Sequence, residues 1–220
     1  MNGKGNDISP HLFEDAEIVS ASGVPLPSLR VLQTAGAIRS EKTSKDYGGF
    51  RRMWSESAIL KAAIGGAMSE HFVWNIRLVA EAIAKTSPET WDALILSTTS
   101  EMQEGIRDRL IKASEHDWLL ELVDRKYLFL NVPAKLVAIL PDLQNEQTDL
   151  PIGFVVSKDH FQSLLLIMGT ESECSHATCY RLSLSSHSNI LSKATINIGM
   201  CVRAAWCRLH GHQARQVHAK

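Results

Sequence analysis

Six basic side chains between Val24 and Trp54 are the residues of this sequence best suited to chemistry. They are Arg30, Arg39, Lys42, Lys45, Arg51 and Arg52. Only Glu41 and Asp46 are acidic in the same interval, so its net charge is +4, whereas the whole chain carries −1 and the remainder therefore −5. A local basic excess on an otherwise acidic chain indicates a surface that binds phosphate groups. A polar loop whose lysines only keep it solvated is the alternative interpretation.

Thiols and imidazoles in the last quarter of the chain are of the types that bind zinc. They are Cys174, His176, Cys179, Cys201, Cys207, His210 and His212. Their spacings differ from the short C-x-x-C type, and Cys201 and Cys207 fall in a helical apolar pattern, where free cysteines are commonly small buried hydrophobes. We therefore predict no metal and no cofactor. The sequence lacks Walker A, G-x-G-x-x-G, H-E-x-x-H and G-x-S-x-G motifs, and we predict a protein that is not an enzyme.

Local signals predict two helices and a turn just before and within the basic interval. Ile18 and the adjacent Val19 suit the buried side of a first helix that ends at Ser22 and Gly23. Pro27 is placed at the start of a second helix, whose buried face takes Leu29, Leu32 and Ile38. A helix-turn-helix is the simplest interpretation.

The next segment predicts two short strands and a third helix. Residues 39–54, RSEKTSKDYGGFRRMW, are polar, contain the paired glycines Gly48 and Gly49, and end on bulky apolar residues. Ser55 can cap the following helix, with Glu56 in its first turn. The apolar stripe of that helix is formed by Ile59, Leu60, Ala63, Ile64 and Met68.

Together these segments resemble the DNA-binding domain of the MerR-type winged helix-turn-helix regulators. The matching positions are Gly23-Val24-Pro25-Leu26 in the turn, Leu29-Arg30 in the second helix, Gly36-Ala37-Ile38 at its close, Gly49-Phe50-Arg51 in the wing and Ser55-Glu56 at the third helix. The resemblance covers roughly a fifth of the chain. It implies that Arg30 contacts DNA from a recognition helix, that Arg51 holds a phosphate from the wing and that Phe50, beside Trp54 in the wing core, anchors the wing.

The whole chain is predicted to be an α+β protein in five segments. They are a flexible arm (1–13), a winged helix-turn-helix domain (14–68), a helical linker or dimerisation region (69–115), an α+β domain of unknown role (116–210) and a disordered tail (211–220). Within them, helical patterns cover residues 69–85, 101–112 and 193–210, and Ser87-Pro88 starts another helix. Strands are expected in residues 118–132, 135–140, 152–157 and 179–186, while FQSLLLIM fits a strand or a short helix.

These features predict a sequence-specific protein for double-stranded DNA, a MerR-like transcriptional regulator acting as a homodimer. The DNA-binding residues are predicted to be Ser28, Arg30, Gln33, Arg39, Lys42, Lys45, Arg51 and Arg52, with Ser28 and Gln33 affecting base preference. A small-molecule or protein effector is expected on the C-terminal domain. The alternative is a protein-interaction or ligand-sensing module, such as a plasmid or phage accessory factor. The sequence has no signal-like start and no apolar run long enough to span a membrane, so we expect a cytoplasmic protein.

Overall fold

Two short helices separated by a glycine turn begin the regular structure. The computed structural model describes residues 11–46, 49–86, 88–103, 117–123, 127–133, 152–156, 161–166 and 193–217. Helix α1 (Asp15–Ser22) ends at Gly23, whose φ of +74° suits a residue without a Cβ. Helix α2 (Leu26–Thr34) has Pro27 in its first turn, and Ile18 and Leu29 are buried. Both helices begin where the sequence predicts them, but α2 ends at Thr34, so Ile38 is buried from the segment after the helix and not from its face.

An antiparallel hairpin of β1 (Ser40–Asp46) and β2 (Gly49–Trp54) follows, as predicted. Its last residue is tied to the segment before α1. Phe13 and Trp54 exchange two backbone hydrogen bonds, of 2.9 and 2.8 Å, and both side chains are buried. Phe13 was assigned to the flexible arm from the sequence, but pairing with β2 places it in the core. The boundary of the folded unit therefore lies before Phe13.

Helix α3 (Glu56–His71) supports the preceding elements. The Ser55 hydroxyl accepts a hydrogen bond from the Ala58 N–H at 3.3 Å, and the predicted apolar stripe is buried, which confirms both expectations. The turn between α1 and α2 packs closely on this helix. A Cβ at Gly66 would lie 2.7 Å from Val24 Cγ2, so glycine is required for this approach.

The single helix predicted over residues 69–85 is wrong. The structure ends α3 at His71 and starts α4 (Ile76–Lys85) after a break, with the Asn75 side chain accepting a hydrogen bond from the Arg77 N–H. The Ser69 hydroxyl donates to the Trp74 carbonyl at 2.9 Å across the break. Between the helices, Val73 has a φ of +55° and is 88% exposed. Apolar periodicity continues through the break, so it could not reveal where one helix ends and the next begins.

Replacing Val73 by asparagine is expected to raise the free energy of unfolding by about 1 kcal/mol, because a β-branched residue is strained at positive φ whereas asparagine tolerates it. Almost no buried area is lost, since the side chain is exposed. Urea unfolding measures the change. Leu78→Asn is the control, because it removes an exposed apolar side chain from the ordinary backbone of α4. Equal stabilisation by both variants would contradict an origin in backbone strain.

Helix α5 (Pro88–Gln103) starts at the predicted proline and buries Trp91. The Trp91 indole N–H donates to the Ile83 carbonyl at 3.0 Å, and the Trp118 indole donates to the Thr98 hydroxyl at 3.0 Å. The two indole rings lie 5.9 Å apart. Residues 101–103 continue α5 without a break, and the rest of the helix predicted over 101–112 lies outside the described residues.

The second sheet is antiparallel throughout its five described strands, in the order β5-β6-β4-β3-β7. Its strands are β3 (Leu119–Val123), β4 (Tyr127–Pro133), β5 (Ile152–Val156), β6 (Phe161–Leu166) and β7 (Lys193–Asn197). Of the two interpretations of FQSLLLIM, the strand is correct for residues 161–166. The strands predicted at 135–140 and 179–186 lie outside the described residues.

The helix predicted over residues 193–210 is only partly correct. Its first five residues form β7, which pairs with β3, and helix α6 (Ile198–Val217) follows directly. Because α6 extends to Val217, it also includes most of the segment predicted as a disordered tail. The helix packs on α1, α3 and α5, so one hydrophobic core runs from Phe13 to Leu209.

A buried ion pair fixes α6 to the start of β3. The Arg203 guanidinium donates to Asp117 Oδ1 at 2.5 Å and to Oδ2 at 2.9 Å, and the Asn197 amide donates to Oδ2 at 2.8 Å. Asp117 is 4% and Arg203 9% exposed. Six helices and two antiparallel sheets among the described residues confirm the α+β class. Within the same residues, no helix combines the length and apolarity that crossing a membrane requires.

Candidate nucleic-acid interface

Helix α2 has one buried face and one exposed face. Leu29 and Leu32 are 1% and 0% exposed, and the helix packs on α3 and α4. Pro27, Arg30 and Thr34 are exposed and follow the i, i+3, i+7 spacing of a single helix face. The buried side therefore fixes the direction in which Arg30 projects into solvent.

Ser28 and Gln33, predicted to affect base preference, lie on the two flanks of that exposed face. Ser28 is half-buried and lines a groove beside α3 and α6. Gln33 is also half-buried, and its amide donates to the Ser40 hydroxyl at 3.2 Å. The structure instead groups Pro27 and Thr34 with Arg30. Sequence reasoning missed these two residues, although helical periodicity counted from Arg30 would have identified them.

The arginines of the hairpin lie on opposite faces of β2. Side chains alternate along a strand, so Arg52 lies on the same side as buried Trp54, and Arg51 lies on the other side. Arg51 is exposed and Arg52 is half-buried. Arg39, just before β1, is exposed. The side chains of Lys42, Lys45 and Phe50 lie outside the described part of the structure, so their predicted roles stay predictions.

Trp54 occupies the core at the base of the hairpin. Its side chain is fully buried, and its indole N–H donates to Asp15 Oδ1 at 2.7 Å. Together with the backbone bonds to Phe13, this contact holds the hairpin against the start of α1. The core position predicted for Trp54 is correct. Since α1 leads through the Gly23 turn into α2, hairpin and α2 have a fixed mutual placement.

Arg51 forms an ion pair that the sequence did not reveal. Its Nη1 lies 3.3 Å from Glu14 Oε1, with 63% of the arginine and 55% of the glutamate side chain exposed. Exposed pairs of this kind contribute at most about 1 kcal/mol and weaken with salt. A phosphate group can therefore compete with Glu14 for the guanidinium.

If Arg51 contacts DNA phosphates, replacing Glu14 by glutamine is expected to raise the affinity for double-stranded DNA about two- to fivefold, whatever its sequence, because it removes a negative charge that pairs with Arg51. The Glu14 backbone N–H keeps its bond to Glu17, so the start of α1 is preserved. Fluorescence anisotropy at low salt measures the change. Asp92→Asn removes an equally exposed carboxylate from α5 and serves as the control. Equal gains in both variants would contradict a specific role for Glu14.

Cys201 and Cys207, two of the side chains considered as zinc ligands, have thiols that disfavour such a role. Burial raises the pKa of both the Cys201 and the Cys207 thiol. Nearby Arg208 lowers both pKa values, but this effect is smaller than that of burial. Thiolates rather than thiols bind metal ions. Within the described residues no three histidine, cysteine or acidic side chains form a metal-binding group, and Cys174, His176 and Cys179 lie outside them.

Arg30 on α2, Arg39 just before β1 and Arg51 on β2 are thus exposed, on three consecutive parts of one folded unit. Such an arrangement can bind phosphates and hydrogen-bond acceptors on base edges. No protein-family model matches the chain, and neither does any curated protein or solved structure.

Proposed function

We propose that this protein binds double-stranded DNA in a sequence-specific manner, with α2 as the recognition helix and the β1–β2 hairpin as the wing. The observation that carries this proposal is the exposed face of α2. Its Arg30 projects outward while Leu29 and Leu32 anchor the opposite face in the core. A helix held in this way can enter a major groove without losing its own packing.

The residue types on that face suit base recognition. Arginine donates two hydrogen bonds to guanine O6 and N7, and the Thr34 methyl and the Pro27 ring can contact the methyl group of thymine. Contacts to phosphate are assigned to Arg39 and Arg51, together with Lys42, Lys45 and Arg52 of the hairpin. These charges position the protein on the duplex, while α2 reads the sequence.

The element order also supports this proposal. Two helices joined by a tight turn, a hairpin and a third helix follow each other in the MerR-type DNA-binding domain that the sequence resembles. That resemblance further implies a transcriptional regulator that acts as a homodimer. Two-fold symmetry would then match palindromic sites. Analytical ultracentrifugation of the protein on one such site tests the dimer.

The experiment that tests DNA binding is a titration of the full chain on genomic DNA fragments, including the region upstream of its own gene, at two salt concentrations. Tight binding to particular fragments that weakens with salt is the expected result, since each neutralised phosphate contributes about 0.9 to the slope of log affinity against log salt. Lys193→Ala, which removes an exposed cation from β7, should leave both quantities unchanged. Binding that is absent, or equal on every fragment, would overturn the proposal and favour the protein-interaction alternative.

A further inference from the structure

A groove of about 670 Å³ lies beside α2, between the turn that precedes it, α3 and α6. Its volume is within the range of roughly 300–1,000 Å³ that is usual for small-molecule sites. Val24, Ala63 and Ile76 contribute apolar surface, and Ser28 contributes a hydroxyl. Polar and apolar groups line the groove in similar shares, which suits a ligand with one polar end and one apolar part.

Arg208 gives the groove a cation in a defined position. Its Nε donates to the Ala21 carbonyl at 2.7 Å, at the end of α1. Arg208 lines the groove, and within the described residues its two terminal nitrogens make no hydrogen bond or ion pair. An arginine held by its Nε presents a planar pair of donors that matches a carboxylate.

Glu70 restricts the charge of a ligand. Glu70 lines the same groove as Cys201 and Arg208. Burial raises the pKa of the Cys201 thiol, the positive charge of Arg208 lowers it, and the negative charge of Glu70 raises it. Both charges therefore lie close to Cys201. Glu70 repels a ligand with several negative charges more strongly than one with a single carboxylate, which can pair with Arg208 and place its body on the apolar part of the lining.

We infer that this groove is a binding site for a small organic monocarboxylate with an apolar body, whose carboxylate pairs with Arg208. The groove also touches the turn before α2, through Gly23, Val24 and Pro25. A bound acid would contact α6 and this turn at the same time. Because this turn leads into α2, a bound acid is expected to change the affinity for DNA; this expectation rests on the proposed function.

Isothermal titration of the full chain tests the site without DNA, so its failure leaves the DNA-binding proposal standing. The probes are phenylacetate, indoleacetate and octanoate, each paired with its neutral amide. At least one acid is expected to bind in the micromolar to millimolar range, and its amide about tenfold or more weaker, because the amide lacks the charge that Arg208 recognises. If no acid binds at millimolar concentration, or if acids and amides bind alike, the site assignment is overturned.

Two variants separate the guanidinium from the shape of the groove. Arg208→Gln is expected to weaken the acid about tenfold or more and to leave the amide unaffected. Ala204→Leu keeps every charge but fills the groove, and should weaken acid and amide together. Lys193→Gln, on β7, is the charge-matched control. Undiminished acid binding by both groove variants, each shown to be folded by circular dichroism, would overturn the site.

The link to DNA is measured separately, by anisotropy on the tightest genomic fragment with and without the acid that binds. A change in affinity of about fivefold or more, lost in Arg208→Gln, is expected for coupled sites. Unchanged affinity would overturn the regulatory part while the ligand site stands. Absence of DNA binding with intact acid binding would instead overturn the proposed function alone.

Discussion

Replacing Arg203 by methionine is expected to lower the free energy of unfolding by about 3–5 kcal/mol, the largest effect on stability that we predict. Methionine keeps the apolar stem that packs in the core, but it leaves the Asp117 carboxylate buried without its cation. The Asn197 amide also donates to Asp117, but it is neutral and cannot balance that charge. Urea unfolding followed by circular dichroism measures the loss.

Two variants distinguish this explanation from a general loss of charge. Arg51→Met breaks the ion pair with Glu14, in which both side chains are more than half exposed, and should cost no more than about 1 kcal/mol. Adding Asp117→Asn to Arg203→Met should recover a large part of the loss, because an amide is cheaper to bury than an unpaired carboxylate. A double variant as unstable as the sum of the two single variants would contradict this account.

Arg30→Ala is expected to weaken binding to the specific DNA site by about 1–3 kcal/mol, roughly five- to 150-fold, while binding to unrelated DNA changes little. The reason is that Arg30 lies on the exposed face of α2, where it can reach base edges, and its loss removes a contact of one sequence only. Arg51→Ala should differ. It should weaken binding to all sequences and reduce the salt slope by about 1, since the proposed function makes Arg51 a phosphate contact.

Competition titrations on specific and unrelated duplexes at several salt concentrations measure both effects. Thr34→Ala extends the test, because it lies on the face of Arg30 and should alter base preference without changing the salt slope. A loss in Arg30→Ala that is equal on every duplex would place Arg30 among the phosphate contacts. An unchanged salt slope in Arg51→Ala would show that the hairpin assignment is wrong.

Local sequence signals were sufficient to predict the first three helices and the hairpin. Gly23 ends α1, Pro27 starts α2, and Ser55 caps α3, each acting within one helical turn of its own position. Such signals depend on backbone geometry and on hydrogen bonds between neighbours, so they are readable from a short stretch of sequence. The resemblance to a known DNA-binding domain rested on the same stretch.

Contacts between distant residues were decided only by the tertiary structure. Residues 193–197 carry a helical apolar pattern, yet they form β7 because their backbone pairs with β3. Phe13 joins the core through Trp54, and the partner of Asp117 is Arg203, 86 positions away. Strand pairing and buried ion pairs depend on which surfaces meet after collapse, and no periodicity along the chain encodes that.

The candidate interface shows the same division. Composition identified the basic interval, but the exposed face of α2 and the Glu14 partner of Arg51 became visible only once the core had fixed the orientation of each element. The groove beside α2 could be recognised only in the folded chain, since its Arg208 comes from the last helix and most of its other lining residues come from the first half of the sequence. Residue types and local turns are properties of the sequence, whereas the direction of each side chain depends on packing between elements far apart in the chain.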